Sequence, residues 1–180
     1  MIVIDKTITA RVIQGDRKAA QELYCLTVRY LCAVCQRYID DDDVRDILQE
    51  SYIKIFKNIK DFSDKDKGSL LSWMTRIVVN ESLQFLRRKN RNAFIESVDD
   101  IPECEEEFEV PRFSSEEIHH AIRQLPTGYR VVLNLYVFEG KSHKEISQML
   151  GIKEASSASQ LNRAKNMLRK ILVKQEGDRT

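Results

Sequence analysis

Apolar and polar positions along this 180-residue chain recur at three- and four-residue steps, and no clean strand alternation survives between them. That spacing is the period of an α-helix with one buried face, so the chain predicts helices and no strands. The clearest stretch is 44–60, VRDILQESYIKIFKNIK. Val44, Leu48, Tyr52, Ile55 and Ile59 form its apolar stripe, while Asp46, Gln49, Glu50 and Lys57 lie opposite. Ile53 falls among those polar groups. A lone exposed apolar residue is common. An apolar centre ringed by polar groups is also the anatomy of a protein-binding hot spot.

The same pattern sets the other elements. A long helix is predicted from about Asp16, a good N-cap, to about Ile39. The DDDD run at 40–43 suits the positive end of the next helix's dipole. A polar loop, KDFSDKDKGS, fills 60–69, and a third long helix runs from Ser69 to Arg91. Its stripe is Leu70, Met74, Ile77, Val78 and Phe85, with Glu81 falling inside it. The opposite side carries Trp73, Arg76, Asn80, Leu83 and Arg87, continuing into Arg88, Lys89 and Arg91. Residues 92–113 hold two prolines and an acidic run without periodicity, the pattern of a partly disordered linker. Beyond it, Ser114 with Glu117 and Ser142 with Glu145 fit capping boxes. Pro126 and Gly140 end two helices, and Gly151 ends a third as a C′ glycine. The expected fold is all-α: two small helical domains, 1–91 and 114–180, joined by the acidic flexible linker 92–113.

Composition narrows the function. Only 6 Gly and 3 Pro favour helices over a turn-rich β fold. No run of about 18 apolar residues exists. The start, MIVIDKTITARVIQGD, lacks the basic opening and long apolar core of a secretory signal, so a cytoplasmic chain is expected. The net charge of +1 divides unevenly: residues 1–90 carry +3, residues 91–113 carry −6 and residues 114–180 carry +4. Two basic blocks around an acidic one point to nucleic acid. Cys32 and Cys35 form a C-x-x-C pair, yet no second pair supplies the four ligands of a structural zinc site. Cys25, Cys32 and Cys35 read as reduced thiols in or near a helical core. No Gly-rich phosphate loop, nucleophile elbow or paired His and carboxylate appears, so no enzyme, metal, cofactor or small-molecule substrate is expected.

Two segments carry binding chemistry. SHKEISQMLGIKEASSASQLNRAK reads as a short helix, a glycine turn and a longer helix, the helix-turn-helix pattern. The longer helix is expected to present Ser156, Ser159, Gln160 and Arg163 outward, with Asn162 at the margin. Arg suits guanine, Gln or Asn suits adenine, and Ser suits either. Lys141, Lys144, Lys153 and Lys165 are placed for phosphates. An ordinary helical hairpin with a solvated polar face has the same spacing. In the helix 69–91, aromatic and apolar groups interleave with Arg and Asn, as in single-stranded DNA binders that stack bases and track phosphates. Packing of Trp73 and Leu83 on a neighbouring helix accounts for the same residues.

Taken together, these stretches resemble a bacterial RNA polymerase sigma factor of the extracytoplasmic-function (ECF) type, of the sigma-70 family. GDRKAAQELYCLTVRYLCAVCQRYI and DVRDILQESYIKIFKNIKDF resemble the first part of sigma region two. GSLLSWMTRIVVNESLQFLRRKNR resembles its promoter-melting part, and AIRQLPTGYRVVLNLYVFEGKSHKEISQMLGIKEASSASQLNRAKNML resembles region four. The resemblance implies that Asp46, Gln49, Glu50 and Ile53, with Lys57 at the edge, dock on the clamp helices of core polymerase. It implies that Phe62, Ser63, Asp64 and Lys67 form a pocket for a flipped non-template base. Trp73, Arg76 and Asn80 would read the minus-ten element, with Arg87 and Arg88 following the strand. Ser156, Gln160 and Arg163 would read the minus-thirty-five duplex, flanked by Lys153, Ser159 and Asn162. Core polymerase (clamp helices and flap), promoter DNA and an anti-sigma factor, often membrane-anchored, are the implied partners. The chain departs from the family where Val79 and Ala158 replace basic residues, and at Glu154 and Ala155.

Overall fold

A computed structural model describes residues 4–62, 69–94 and 113–177, the side chains of the last two excepted. These residues are helical with no strand, and the chain divides into two compact units, Met1–Lys89 and Asn90–Thr180.

The first unit contains α1 (Lys6–Ile13), α2 (Arg17–Gln36), α3 (Asp41–Asn58) and α4 (Leu70–Lys89), with one 3-10 turn at Ile59–Asp61. Helix α1 is absent from the sequence-based expectation. It begins where the Asp5 carboxylate accepts from Thr7 N at 3.1 Å, and it buries only Ile8 and Val12. Asp16 caps α2 as expected, accepting from Lys18 N at 2.8 Å and Ala19 N at 3.2 Å. Its carboxyl sits below the usual carboxylate range because the Arg11 guanidinium and the capped amides hydrogen-bond to it. Three acids, Asp41 to Asp43, fill the first turn of α3, where they oppose the helix dipole.

Helix α2 packs against α1, α3 and α4, and α3 packs against α4. Leu23, Leu31 and Cys35 of α2, Ile55 of α3 and Met74 and Val78 of α4 are fully enclosed. Enclosing each large apolar side chain contributes about 1.5–3 kcal/mol. The stripe residues Val44, Leu48, Tyr52 and Ile55 of α3 are buried, with Ile47 beside them and Ile59 following in the 3-10 turn. On α4 the outcome differs from the pattern. Leu83, expected on the wet side, is 3% exposed, whereas Ile77 and Phe85 are only half-buried. Because α4 meets both α2 and α3, its buried arc is wider than one stripe.

The second unit contains α5 (Ser115–Arg123), α6 (Thr127–Val137), α7 (His143–Leu150) and α8 (Glu154–Gly177). Helix α8 packs on α5, α6 and α7, around Val131, Val132, Leu135, Ile146 and Ala164. Both expected capping boxes form: Ser114 with Glu117, and Ser142 with Glu145. Gly151 closes α7 at φ +69°, a left-handed conformation that a β-carbon would strain. Residues 92–94, expected to begin the linker, instead belong to a turn in which Ala93 and Phe94 are buried. The remainder of the expected linker, 95–112, lies outside the described residues.

Candidate functional site

The first candidate surface is the outer face of α3. Asp46, Gln49, Glu50, Ile53 and Lys57 are all exposed and lie on one side of the helix. Ile53 stands 60% exposed, more than any other large apolar side chain among the described residues. Tyr52, its chain neighbour, points the other way. Its hydroxyl lies 2.8 Å from Thr27 Oγ1, its ring is 4.7 Å from Tyr24, and burial pushes its pKa up to about 12. The buried face therefore fixes the orientation of the exposed one.

Glu50 also reaches the second surface, on α4: its carboxylate lies 3.4 Å from Arg88 Nη2. Lys89 pairs with Asp43 at 3.0 Å and sits 5.6 Å from the centre of the Phe85 ring. Hydrogen bonding and attraction from Asp43 raise the Lys89 pKa. A third bridge, Lys54 to Glu81 at 2.5 Å, joins the same two helices and explains the acid inside the α4 stripe. Of the α4 residues expected on nucleic acid, Arg76, Asn80, Arg87 and Arg88 are exposed. Trp73 is half-buried, its ring tilted 53° against Phe62 at 5.8 Å. Ser63, Asp64 and Lys67 lie outside the described residues.

The third surface belongs to α7 and α8, a short helix, a glycine turn and a longer helix. Lys153, Ser159 and Asn162 are exposed, and Ser156 and Arg163 are half-buried. Gln160 corrects the expectation. It is 6% exposed, and its Nε2 donates to Phe94 O at 2.9 Å. The turn at Asn90–Phe94, 66 residues earlier in the chain, covers the flank on which it lies. His143 ties the motif together, with Nδ1 3.0 Å from Ser157 Oγ and its ring stacked on Tyr136 at 4.9 Å. At the end of α6, Tyr136, Val137 and Phe138 are 39–54% exposed in sequence. Sequence reasoning took that stretch as an ordinary helix. The signal available was that YVF extends an apolar run already long enough to fill the core side.

Cys25 is exposed, Cys32 half-buried and Cys35 buried, all as free thiols. Burial pushes the Cys35 thiol up to about 11. Among the described residues, no three His, Cys, Asp or Glu side chains gather as metal ligands would. No described helix is long and apolar enough to cross a membrane.

Residues 23–92 match the family described as Sigma-70 region 2, and residues 115–168 match Sigma-70, region 4. The RNA polymerase sigma factor SigZ of Bacillus subtilis is 30% identical over 139 residues, covering 77% of this chain and 78% of that protein. The ECF RNA polymerase sigma-E factor of Haemophilus influenzae is 26% identical over 179 residues, covering 91% and 93%. Among solved structures, the sigma factor RpoE of Bartonella quintana, in complex with the anti-sigma factor NepR, is similar with a TM-score of 0.52 at 21% identity. The match covers 84% of this chain and 95% of that one, and is a likeness of fold. The chain belongs to the sigma-70 family, as an RNA polymerase sigma factor of the ECF type. It recognises promoters for transcription initiation, and its partners are core RNA polymerase and promoter DNA.

Proposed function

We propose that the three surfaces divide promoter recognition between them. Asp46, Gln49, Glu50 and Lys57 form the polar rim, and Ile53 the apolar anchor, of a site for the clamp helices of core polymerase. Support comes from one observation above all: Ile53 is 60% exposed on a helix whose opposite face is fully packed. A burial of that kind, surrounded by groups that exclude water, is where binding energy concentrates. Trp73, Arg76 and Asn80 then engage the opened non-template strand at the minus-ten element, with Arg87 and Arg88 on phosphates. Phe62, Ser63, Asp64 and Lys67 are assigned to a flipped base, whose extrusion costs a few kcal/mol recovered by stacking and polar contacts. Helix α8 reads the minus-thirty-five duplex through Arg163, Ser156, Ser159 and Asn162, with Lys153 on the backbone.

The apolar trio Tyr136–Phe138 is the face offered to the polymerase flap. An anti-sigma factor holds the protein inactive by covering these surfaces; the RpoE chain of similar fold is solved in complex with the anti-sigma factor NepR. The chain acts in the cytoplasm, as a binding subunit without catalytic chemistry of its own. Mixing it with bacterial core polymerase and assaying promoter-dependent transcription tests the whole reading. Transcription from a cognate promoter, lost in Ile53→Glu, is the expected result. Activity indifferent to that substitution overturns the assignment of α3.

A further inference from the structure

Trp73 lies in the first turn of α4, and a residue outside that helix meets its ring. Its backbone N–H donates to Ser69 O at 3.0 Å, which fixes its backbone in the helix. A long helical side chain leans back over the turn that precedes its own Cα. For Trp73 that turn is the very start of α4, at Leu70, so the indole reaches the end of the helix with no earlier turn to lie on. Phe62 stands there. Its ring centre is 5.8 Å from that of Trp73 and its plane is tilted by 53°, the arrangement of a favourable aromatic pair. Phe62 is tied in turn by its backbone, whose N–H donates to Ile59 O at 3.2 Å, and Ile59 is buried. The 3-10 turn at Ile59–Asp61 therefore carries the Phe62 ring to its place.

Both rings are half-buried, so each keeps a part that faces solvent. Arg76 and Asn80 follow Trp73 at three- and four-residue steps and are exposed, so the indole heads one row on α4. A tryptophan at a helix end has several staggered rotamers open to it unless a neighbour excludes them. An indole that stacks on an unpaired base binds better when it is already oriented, because less ordering is left for the moment of contact. We infer that Phe62 is a positioning residue: it acts on the opened strand through Trp73, by holding the indole in the orientation in which its free part meets a base. This rests on the reading that Trp73 engages the non-template strand, and it refines the part given to Phe62 there.

The test has two arms. Trp73 is the only tryptophan of the chain, so emission and anisotropy of the free full-length protein report on it alone. Phe62→Ala is expected to move the emission to longer wavelength and lower the anisotropy, whereas Phe62→Tyr, which keeps the ring, holds both. In the second arm each chain is assembled with bacterial core polymerase, and opening is followed with a fluorescent base analogue in the non-template minus-ten strand. Phe62→Ala should slow opening about two- to tenfold, the worth of an aromatic pair expressed as a rate, and Phe62→Tyr should restore it. In a Trp73→Ala background, Phe62→Ala should slow opening no further, since a residue that acts through another has no effect once that other is gone. The groove beside Phe62, lined by Ile4, Ala10, Ile13 and Leu70, is open, so truncation enlarges existing space, and a cooperative melting curve verifies that the variant folds. Losses that add in the double variant overturn the inference and give Phe62 its own contact with the strand. Fluorescence unmoved by Phe62→Ala overturns it too, as does normal opening in Phe62→Ala beside slow opening in Trp73→Ala; both leave the strand reading intact. Normal opening in Trp73→Ala removes the indole from the strand, and reading and inference fall together.

Discussion

Lys54 on α3 and Glu81 on α4 form an ion pair 2.5 Å long, in which the carboxylate is 5% exposed and the ammonium 45%. The bridge joins α3 to α4, the two helices proposed to meet the polymerase and the opened strand. Removing one member of such a pair costs more than the pair contributes, because the other charge stays buried. Lys54→Met is expected to destabilise the first unit by about 1–3 kcal/mol, the cost of an unmatched buried polar group. Adding Glu81→Met should recover much of that loss. Chemical denaturation of both variants checks it; equal stability of the single variant and the wild type contradicts the pairing.

Ile53→Glu places a charge at the centre of the α3 surface without touching the core. Loss of a hot-spot anchor is worth at least about 2 kcal/mol, or a roughly thirtyfold weaker complex. The melting temperature should stay within experimental scatter, since Ile53 is 60% exposed. Titration of core polymerase against each protein gives the comparison.

Arg163 and Lys153 separate reading from anchoring. Arg163→Ala should cost about 1–3 kcal/mol at a single base position and relax the preference there. Lys153→Ala should weaken all promoters alike and reduce the slope of log affinity against log salt by about one. Affinities of two promoters differing at one upstream position, measured at three salt concentrations, distinguish these effects.

The Ser142–Glu145 box gives the helix-turn-helix a pH dependence. Hydrogen bonds from the Ser142 backbone and side chain lower the Glu145 pKa from its ordinary 4.5. A carboxyl depressed on folding adds stability at higher pH, and that contribution disappears as the solution is acidified through the lowered value. The second unit should therefore melt earlier as pH falls below about 4.5, and Ser142→Ala should flatten the trend. The same substitution removes an N-cap, at about 1 kcal/mol near neutrality. Melting curves from pH 7 to pH 3 provide the test.

Legibility in the sequence followed the range of the interactions. Asp16, Ser114, Ser142 and Gly151 mark helix ends because caps are local, and all four act as expected. The polar surroundings of Ile53 were legible because one helix defines both faces. Helix α1 was missed because two buried apolar residues make too short a period. Leu83 was misplaced because a helix gripped from two directions buries more than one stripe. Glu81 had no local account, since its partner lies 27 residues away, and Gln160 was misread for the same reason at 66. Which side chains a fold withdraws from its surface depends on distant segments, and periodicity carries no information about them.

Helix α4 is gripped by α2 and α3, and three ion pairs lash it to the latter. Arg76, Asn80 and Arg87 stand exposed on one side of this anchored helix. If the opened strand lies along that side, as proposed, the strand does more of the conforming than the helix. In the proposed complex the disorder surrendered would then come mainly from the nucleic acid.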